Sequence, residues 1–121
     1  MADMTMGSVE TRFANIIWEG EPISSTELAK RSAELLGWKK STSFTVLRRL
    51  CKKGIFKNED GTVTSLVSRD DFYSIQSENF VDQTFEGSLP AFLAAFTARK
   101  SLSAVEIAEL RRMVDEYGED R

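Results

Sequence analysis

The spacing of helix stops in the first 54 residues constrains the fold more than any other feature of this sequence. Apolar residues at i, i+4, i+7 and i+8 from Val9 predict an amphipathic helix that ends near Gly20. A second helix opens with the capping-box pair Ser24 and Glu27 and should end at Gly37. The pattern therefore predicts a compact unit built from short helices.

A third helix and a hairpin complete this unit. The helix should take Ser41 or Thr42 as its N-cap and Gly54 as its left-handed C′ residue. The β-prone stretches 55–57 and 62–67 follow, joined by a turn in which Gly61 can adopt a positive φ. Three helices followed by a small hairpin is the element order of a winged helix-turn-helix domain, with a generic small α+β domain as the alternative.

Helical patterns return after Ser68 and continue to the end of the chain. A long fourth helix should end at Gly87, a fifth has its apolar stripe from Leu89, and a sixth opens with the capping-box pair Ser103 and Glu106. The predicted fold is therefore mostly α with a small β wing. The predicted domains are a flexible tail 1–8, a winged helix domain 9–69 and a helical domain 70–121.

Charge is divided unevenly along a chain whose formal net charge is only −3. Residues 1–69 carry 11 Lys or Arg against 8 Asp or Glu, a balance of +3, while the remainder carries 5 against 11, a balance of −6. Seven of the basic residues fall within 38–58, where there is no Asp or Glu. This division indicates polyanion binding by the first half. The plainer alternative is that the cations only keep one helix soluble.

The third helix should direct cations and hydroxyls away from the core. With its apolar positions facing inward, the outward face is a stripe at i, i+4, i+7 and i+11: Ser41, Thr45, Arg48 and Lys52. Hydroxyls and guanidinium groups can bond base edges in a DNA major groove, and flanking lysines suit phosphates. Arg49 lies at the boundary and could bind phosphate or pair with a carboxylate on a neighbouring helix. The residues expected to contact DNA are Lys39, Lys40, Ser41, Thr42, Ser43, Phe44, Thr45, Arg48, Arg49, Lys52, Lys53 and Lys57.

The sequence offers little for catalysis. It has no histidine, which removes the commonest general base and transition-metal ligand, and it has no phosphate-binding glycine loop or nucleophile elbow. The single cysteine, Cys51, cannot form an internal disulfide and is expected to be a half-buried small hydrophobe. We therefore expect a protein that is not an enzyme, with no catalytic residues, metal or cofactor. The lack of a long apolar run predicts a cytoplasmic location with no membrane partner.

The last 52 residues, 70–121, predict self-association. They hold five of the eight Phe in only about three helices, too little chain to enclose that apolar surface. Part of it should meet a partner, with packing back onto the winged domain as the alternative. A two-fold dimer would place two third helices about 34 Å apart, or a multiple of that, and predicts an inverted-repeat DNA site. The expected dimerisation residues are Phe80, Phe85, Leu89, Phe92, Leu93, Phe96, Ile107, Leu110 and Val114.

The stretch 16–56 resembles the bacterial penicillinase-repressor (BlaI/MecI-type) family of winged-helix transcriptional regulators. The family pattern on and around the third helix is matched by Trp38, Thr42, Thr45, Leu47, Arg49, Leu50, Lys53 and Gly54. The stretches 66–72, 85–89 and 102–110 are similar to the family's wing exit, linker and last helix. The resemblance implies a homodimeric repressor that binds palindromic operator DNA through the winged domain and is held together by its C-terminal helices.

The resemblance also implies modes of regulation. In the antibiotic-responsive branch, cleavage between Asn and Phe in the C-terminal region relieves repression, so a regulatory protease becomes a candidate partner. The aligned pair here is Ala95 and Phe96, and cleavage at this bond stays open. A copper-responsive branch carries a C-terminal cysteine motif, which this chain lacks because Cys51 is its only cysteine. The alternative function is a winged-helix adapter that docks on an acidic protein partner.

Overall fold

The computed structural model describes residues 5–118, which form six helices and three short strands. The elements are α1 (Ser8–Gly20), β1 (Ile23–Ser24), α2 (Ser25–Leu36), α3 (Lys40–Lys52), β2 (Phe56–Glu59), β3 (Thr62–Ser65), α4 (Arg69–Phe85), α5 (Leu89–Thr97) and α6 (Ala104–Tyr117). This confirms the predicted fold class, a winged helix followed by C-terminal helices. Within the described range, no helix is both long and apolar enough to cross a membrane.

Most helix ends lie where the capping residues predict them. The Ser24 hydroxyl accepts the Glu27 N–H at 3.0 Å, and α2 ends at Gly37, whose φ is 71°. At the start of α6, Ser103 and Glu106 exchange two hydrogen bonds of 2.9 and 3.1 Å. These ends are predictable because a cap depends on residues only three or four positions apart.

The start of α3 differs from the prediction. Neither Ser41 nor Thr42 is the N-cap, because Lys39 holds this position in an extended conformation. The Lys39 carbonyl accepts the N–H groups of Thr42 and Ser43 at 3.0 and 3.1 Å, so the helix begins two or three residues earlier than expected. The backbone bonds are sufficient here, and the side-chain preference for hydroxyls at an N-cap does not decide the boundary.

The wing is a three-stranded antiparallel sheet in the order β1-β3-β2. Its hairpin turns through Asp60 and Gly61, whose φ angles are 52° and 87°, which confirms the positive φ expected at Gly61. The strands begin and end within two residues of the predicted stretches. β1 was not predicted because a two-residue strand has no periodicity; it pairs Ile23 with Val63.

The core of the winged part joins all of its elements. Phe13 of α1, Leu50 of α3, Phe56 of β2 and Phe72 of α4 are all fully buried. Met6 is also buried, although residues 1–8 were predicted to form a flexible tail, and α1 begins at Ser8. Residues 1–4 of that tail lie outside the described part of the chain.

Trp18 ties α1 to the wing and to the start of α4. Its indole N–H donates to the Val67 carbonyl at 3.0 Å, and its ring lies 5.2 Å from the Phe56 ring and 5.6 Å from the Phe72 ring. An aromatic side chain with a polar N–H can bury its ring and still satisfy its donor in this way. The beginning of α4 is therefore part of the winged core.

The chain divides into two compact units, one ending at Asn79 and the other starting at Phe80. The second unit has a cluster of Phe80, Phe85, Phe92 and Phe96, whose ring centroids lie between 5.7 and 6.2 Å apart. Within its described part, 80–118, no residue is buried. This unit therefore has aromatic contacts but no closed core of its own.

Replacing Leu50 with Ala should destabilise the protein because Leu50 is fully buried where α3 packs on the core. We expect a loss of about 2–5 kcal/mol in the free energy of unfolding, measured by urea denaturation. Leu35→Ala is the matched control because Leu35 is 61% exposed, and it should change stability by less than about 0.5 kcal/mol. Equal losses in the two variants would contradict this packing.

Candidate nucleic-acid interface

The orientation of α3 is set by its buried face. Val46, Leu47 and Leu50 lie in the hydrophobic core with Phe13 of α1 and Leu28 of α2. These positions recur at helical spacing, so burying them fixes the rotation of the helix about its axis. The opposite face must then point away from the core.

The opposite face carries the predicted row of hydroxyl and basic side chains. We call Ser41, Thr45, Arg48 and Lys52 the outer stripe, and all four are exposed. The Thr45 hydroxyl donates to the Ser41 carbonyl at 2.9 Å. This bond uses the hydroxyl proton, so the Thr45 oxygen is left to act as a hydrogen-bond acceptor.

The cations of the outer stripe and of the start of α3 are available for an anionic ligand. Among residues 5–118, the structure gives Lys39, Arg48 and Lys52 no ion-pair partner. The Lys40 ammonium lies 5.7 Å from the centre of the half-buried Phe44 ring, a cation–π contact that leaves its charge at the surface. These side chains concentrate positive charge on the exposed surface of α3 and at its start.

Arg49 of α3 and Lys53, the C-cap that follows α3, are held by the N-terminal part of the chain. Arg49 forms a hydrogen-bonded ion pair with Glu10 of α1, and the Lys53 ammonium donates to the Thr5 carbonyl at 2.6 Å. Of the two roles left open for Arg49, the structure contains the carboxylate pair. Both side chains therefore connect α3 to the segment that leads into α1.

The environment of Glu10 favours its charged form. Burial raises the pKa of its carboxyl group, but the Gly7 N–H, the Arg49 side chain and the positive charges of Lys53 and Arg49 together lower that pKa below its usual value. A carboxylate that accepts hydrogen bonds and faces cations is expected to remain ionised. The ion pair between Glu10 and Arg49 is thus maintained near neutral pH.

Ser43 is a correction to the predicted DNA contacts. Its side chain is only 1% exposed, so it cannot reach a ligand at the surface of α3. The reason is its position on the helix, where it shares the buried face with Val46, Leu47 and Leu50. Thr42, one position earlier, is exposed and stays available.

The wing adds a residue that the sequence analysis did not select. Asn58 of β2 lines a groove of about 200 Å³ beside α3, together with Phe44, Leu47, Arg48 and Cys51. Its side-chain oxygen accepts the Gly61 N–H at 2.9 Å, which leaves its amide N–H groups as donors. The sequence indicates only that Asn58 belongs to the hairpin, because nothing local to it shows that β2 packs beside Arg48.

Cys51 lies in the same groove and is half-buried, as predicted. Burial raises the pKa of its thiol above the usual value. A raised pKa reduces the thiolate fraction at neutral pH, and the thiolate is the reactive form. Cys51 therefore contributes to packing beside the outer stripe.

Comparison with known proteins finds a matching family and several relatives. The family described as penicillinase repressor matches residues 6–116. The penicillinase repressor of Bacillus licheniformis is 27% identical over 93% of this chain and 91% of its own. The methicillin resistance regulatory protein MecI of Staphylococcus aureus (strain Mu50) is 30% identical over 91% of this chain and 93% of its own, and that of Mammaliicoccus sciuri is 29% identical.

The chain belongs to the penicillinase repressor family. The relatives named above are repressors or regulatory proteins, in agreement with the expectation that this protein is not an enzyme. The predicted family is therefore confirmed. In this member of the family, the predicted pattern on and around the third helix combines two roles.

The structural role belongs to the pattern residues that pack inward in this penicillinase-repressor family member. Trp38 stacks on Phe13 with 5.1 Å between the ring centroids, and Leu47 and Leu50 are buried. Thr42 and Thr45, by contrast, are exposed. The pattern therefore contains both the residues that orient α3 and hydroxyls that its surface presents.

In the second unit, the residues predicted for dimerisation are exposed or half-buried apolar side chains. Phe80, Leu89 and Val114 are 50, 55 and 68% exposed. A groove of about 410 Å³ runs between α5 and α6. It is lined by Phe92, Leu93, Phe96, Leu102, Glu106, Glu109, Leu110 and Met113. Apolar surface of this extent in one unit is typical of an interaction surface.

Proposed function

We propose that this protein is a transcriptional repressor that binds double-stranded DNA as a homodimer, at an inverted-repeat operator. The observation that carries the proposal is the outer stripe of α3, which is exposed and rich in hydroxyl and basic groups. The relatives in its family are named as penicillinase repressor and methicillin resistance regulatory protein. A β-lactam response is the corresponding proposal for what this repressor controls.

The side chains of the outer stripe suit different parts of a DNA major groove. Arg48 can donate two hydrogen bonds to the acceptors on guanine. Thr45, whose proton is used within the helix, can accept from an amino group of adenine or cytosine, or place its methyl against thymine. Lys39, Lys40 and Lys52 supply charge with little sequence information and therefore suit phosphates.

The alternative, an adapter that docks on an acidic protein, uses the same cations. It gives no role to the exposed hydroxyls of Ser41, Thr42 and Thr45, which lie between the cations at the two ends of the helix. Major-groove recognition uses both kinds of group, because phosphates need charge and base edges need hydrogen-bond partners. The mixture of cations and hydroxyls therefore favours DNA.

Dimerisation is proposed from the second unit. Since no residue between Phe80 and Gly118 is buried, its aromatic cluster and the groove between α5 and α6 remain in contact with water in the single chain. Burying one Phe or Leu side chain contributes about 1.5–3 kcal/mol. A second copy that covers several of these side chains would supply the core that one copy lacks.

The proposal also includes regulation by a protease that cleaves the chain between Ala95 and Phe96. Ala95 and Phe96, the pair aligned with the family's cleavage site, are both exposed and lie within α5. Proteolysis concentrates at exposed loops, so a protease would have to unwind this turn of α5 before cutting the bond. Dimerisation through α5 would protect it further.

Arg48→Ala and Thr45→Ala should each weaken binding to operator DNA, because they remove groups that face the base edges. We expect a loss of about tenfold or more for each, following about 1–3 kcal/mol per base contact, measured by fluorescence anisotropy with DNA from upstream of the gene. Arg12→Ala is the matched control, since Arg12 is an exposed arginine of α1 that contacts the Leu35 carbonyl.

The control variant should bind within about twofold of wild type. If Arg48→Ala and Arg12→Ala bind equally well, the outer stripe does not read DNA. A wild-type protein that ignores DNA even at low salt, but is recovered with an acidic protein partner, would favour the adapter. Binding to DNA should fall steeply as salt rises, because phosphate contacts release counterions.

Phe92→Glu should give monomers, because it places a charge in the groove between α5 and α6, where desolvating it would oppose association. Sedimentation velocity measures the oligomeric state. The DNA affinity of the variant should be lower than that of wild type because the dimer is lost. Thr84→Glu adds the same charge at an exposed position that is not among the expected dimerisation residues, and this variant should remain dimeric. A dimeric Phe92→Glu protein would show that α5 lies outside the interface.

A further inference from the structure

The wing hairpin and α3 carry opposite charge. The stretch 39–53, which includes all of α3, has six Lys or Arg and no Asp or Glu. The hairpin 56–65 has a single cation, Lys57, with two carboxylates, Glu59 and Asp60, which gives it a balance of −1. A DNA backbone that approaches α3 would therefore meet an acidic wing beside a basic helix.

The one cation of the wing is already paired. The Lys57 ammonium lies 3.1 Å from a carboxylate oxygen of Glu59, two residues further along β2 and on the same face of the strand. The residues opposite them on β3 are Thr64 and Thr62, which are uncharged. Within the hairpin, Glu59 is thus the charged group that lies beside Lys57 on this face.

We propose that Glu59 limits the DNA affinity of this protein by holding Lys57 away from phosphate. This inference rests on the proposed function, in which the wing lies against the DNA backbone beside α3, and it names a residue that sets the strength of that backbone contact. An exposed ion pair is weak, so a phosphate can compete with Glu59 for Lys57. To bind Lys57, however, the phosphate must break the ion pair and then lie close to the negatively charged Glu59 carboxylate, which repels it.

The consequence concerns selectivity for sequence. Phosphate contacts raise affinity for every DNA sequence, whereas base contacts distinguish one sequence from another. The ion pair between Lys57 and Glu59 lowers the non-specific affinity of the wing for DNA. It leaves the base contacts of Arg48 and Thr45 unchanged. Glu59 thereby increases the share of binding that comes from the outer stripe.

The test compares Glu59→Gln with wild type on a duplex of unrelated sequence, over a range of salt concentrations, by fluorescence anisotropy. Freeing Lys57 should tighten binding about two- to fivefold for each wing. The slope of log affinity against log salt should steepen by about 0.9 for each wing, because one further phosphate is neutralised. Circular dichroism checks that the variant is folded.

The matched control is Glu19→Gln, which changes the net charge equally. The Glu19 side chain is 69% exposed, and the Glu59 side chain is 72% exposed. Glu19 forms an ion pair with Arg69 at 3.3 Å, and neither of these two residues belongs to α3 or to the hairpin. It should leave both affinity and slope unchanged. The double variant Lys57→Gln with Glu59→Gln should lose the gain of Glu59→Gln, because the gain requires the freed ammonium.

Three results would overturn the inference while leaving the proposed function intact. They are wild-type affinity in Glu59→Gln, an equal gain in Glu19→Gln, and a gain that persists without Lys57. Failure of the wild-type protein and of every variant to bind any duplex at low salt would instead contradict the proposed function itself. The two failures are therefore distinguishable in one set of titrations.

Discussion

The burial of Val46, Leu47 and Leu50 in one core with Phe13 and Leu28 is the interaction on which the rest of the site depends. It fixes the rotation of α3, and every side chain on the opposite face takes its direction from that rotation. A rotation of one residue position, about 100°, would turn Thr45 and Arg48 toward the core or toward the wing. Hydrophobic packing therefore determines which side chains form the outer stripe, and their charge determines what the stripe can bind.

The packed core then divides the cations of α3 into two sets. Those on the outer stripe and at the start of the helix remain available, whereas Arg49 and Lys53 are used to hold the N-terminal segment through Glu10 and Thr5. The second unit differs from the first because its apolar side chains are exposed or only half-buried in a single chain. The first unit has a closed hydrophobic core, and the described part of the second unit has exposed apolar surface instead.

Local chemistry explains which features the sequence could predict. Caps such as Ser24 and Gly37, the turn at Gly61 and the outer stripe depend on neighbours within a turn or two, so they follow from spacing. The pairing of Arg49 with Glu10 joins residues 39 positions apart, and β1 exists only because β3 lies beside it. The burial of Ser43 follows from the helical spacing that it shares with Val46, Leu47 and Leu50, so its inclusion among the expected DNA contacts was wrong.

The most direct test of the account is a titration of the isotopically labelled wild-type protein with duplex DNA from upstream of its gene, followed by the backbone amide signals in NMR. The account predicts that the largest shifts occur at Ser41, Thr45, Arg48 and Lys52, with small shifts along α1. Shifts that leave these four amides unchanged while DNA is bound elsewhere would contradict the claim that the outer stripe of α3 binds DNA.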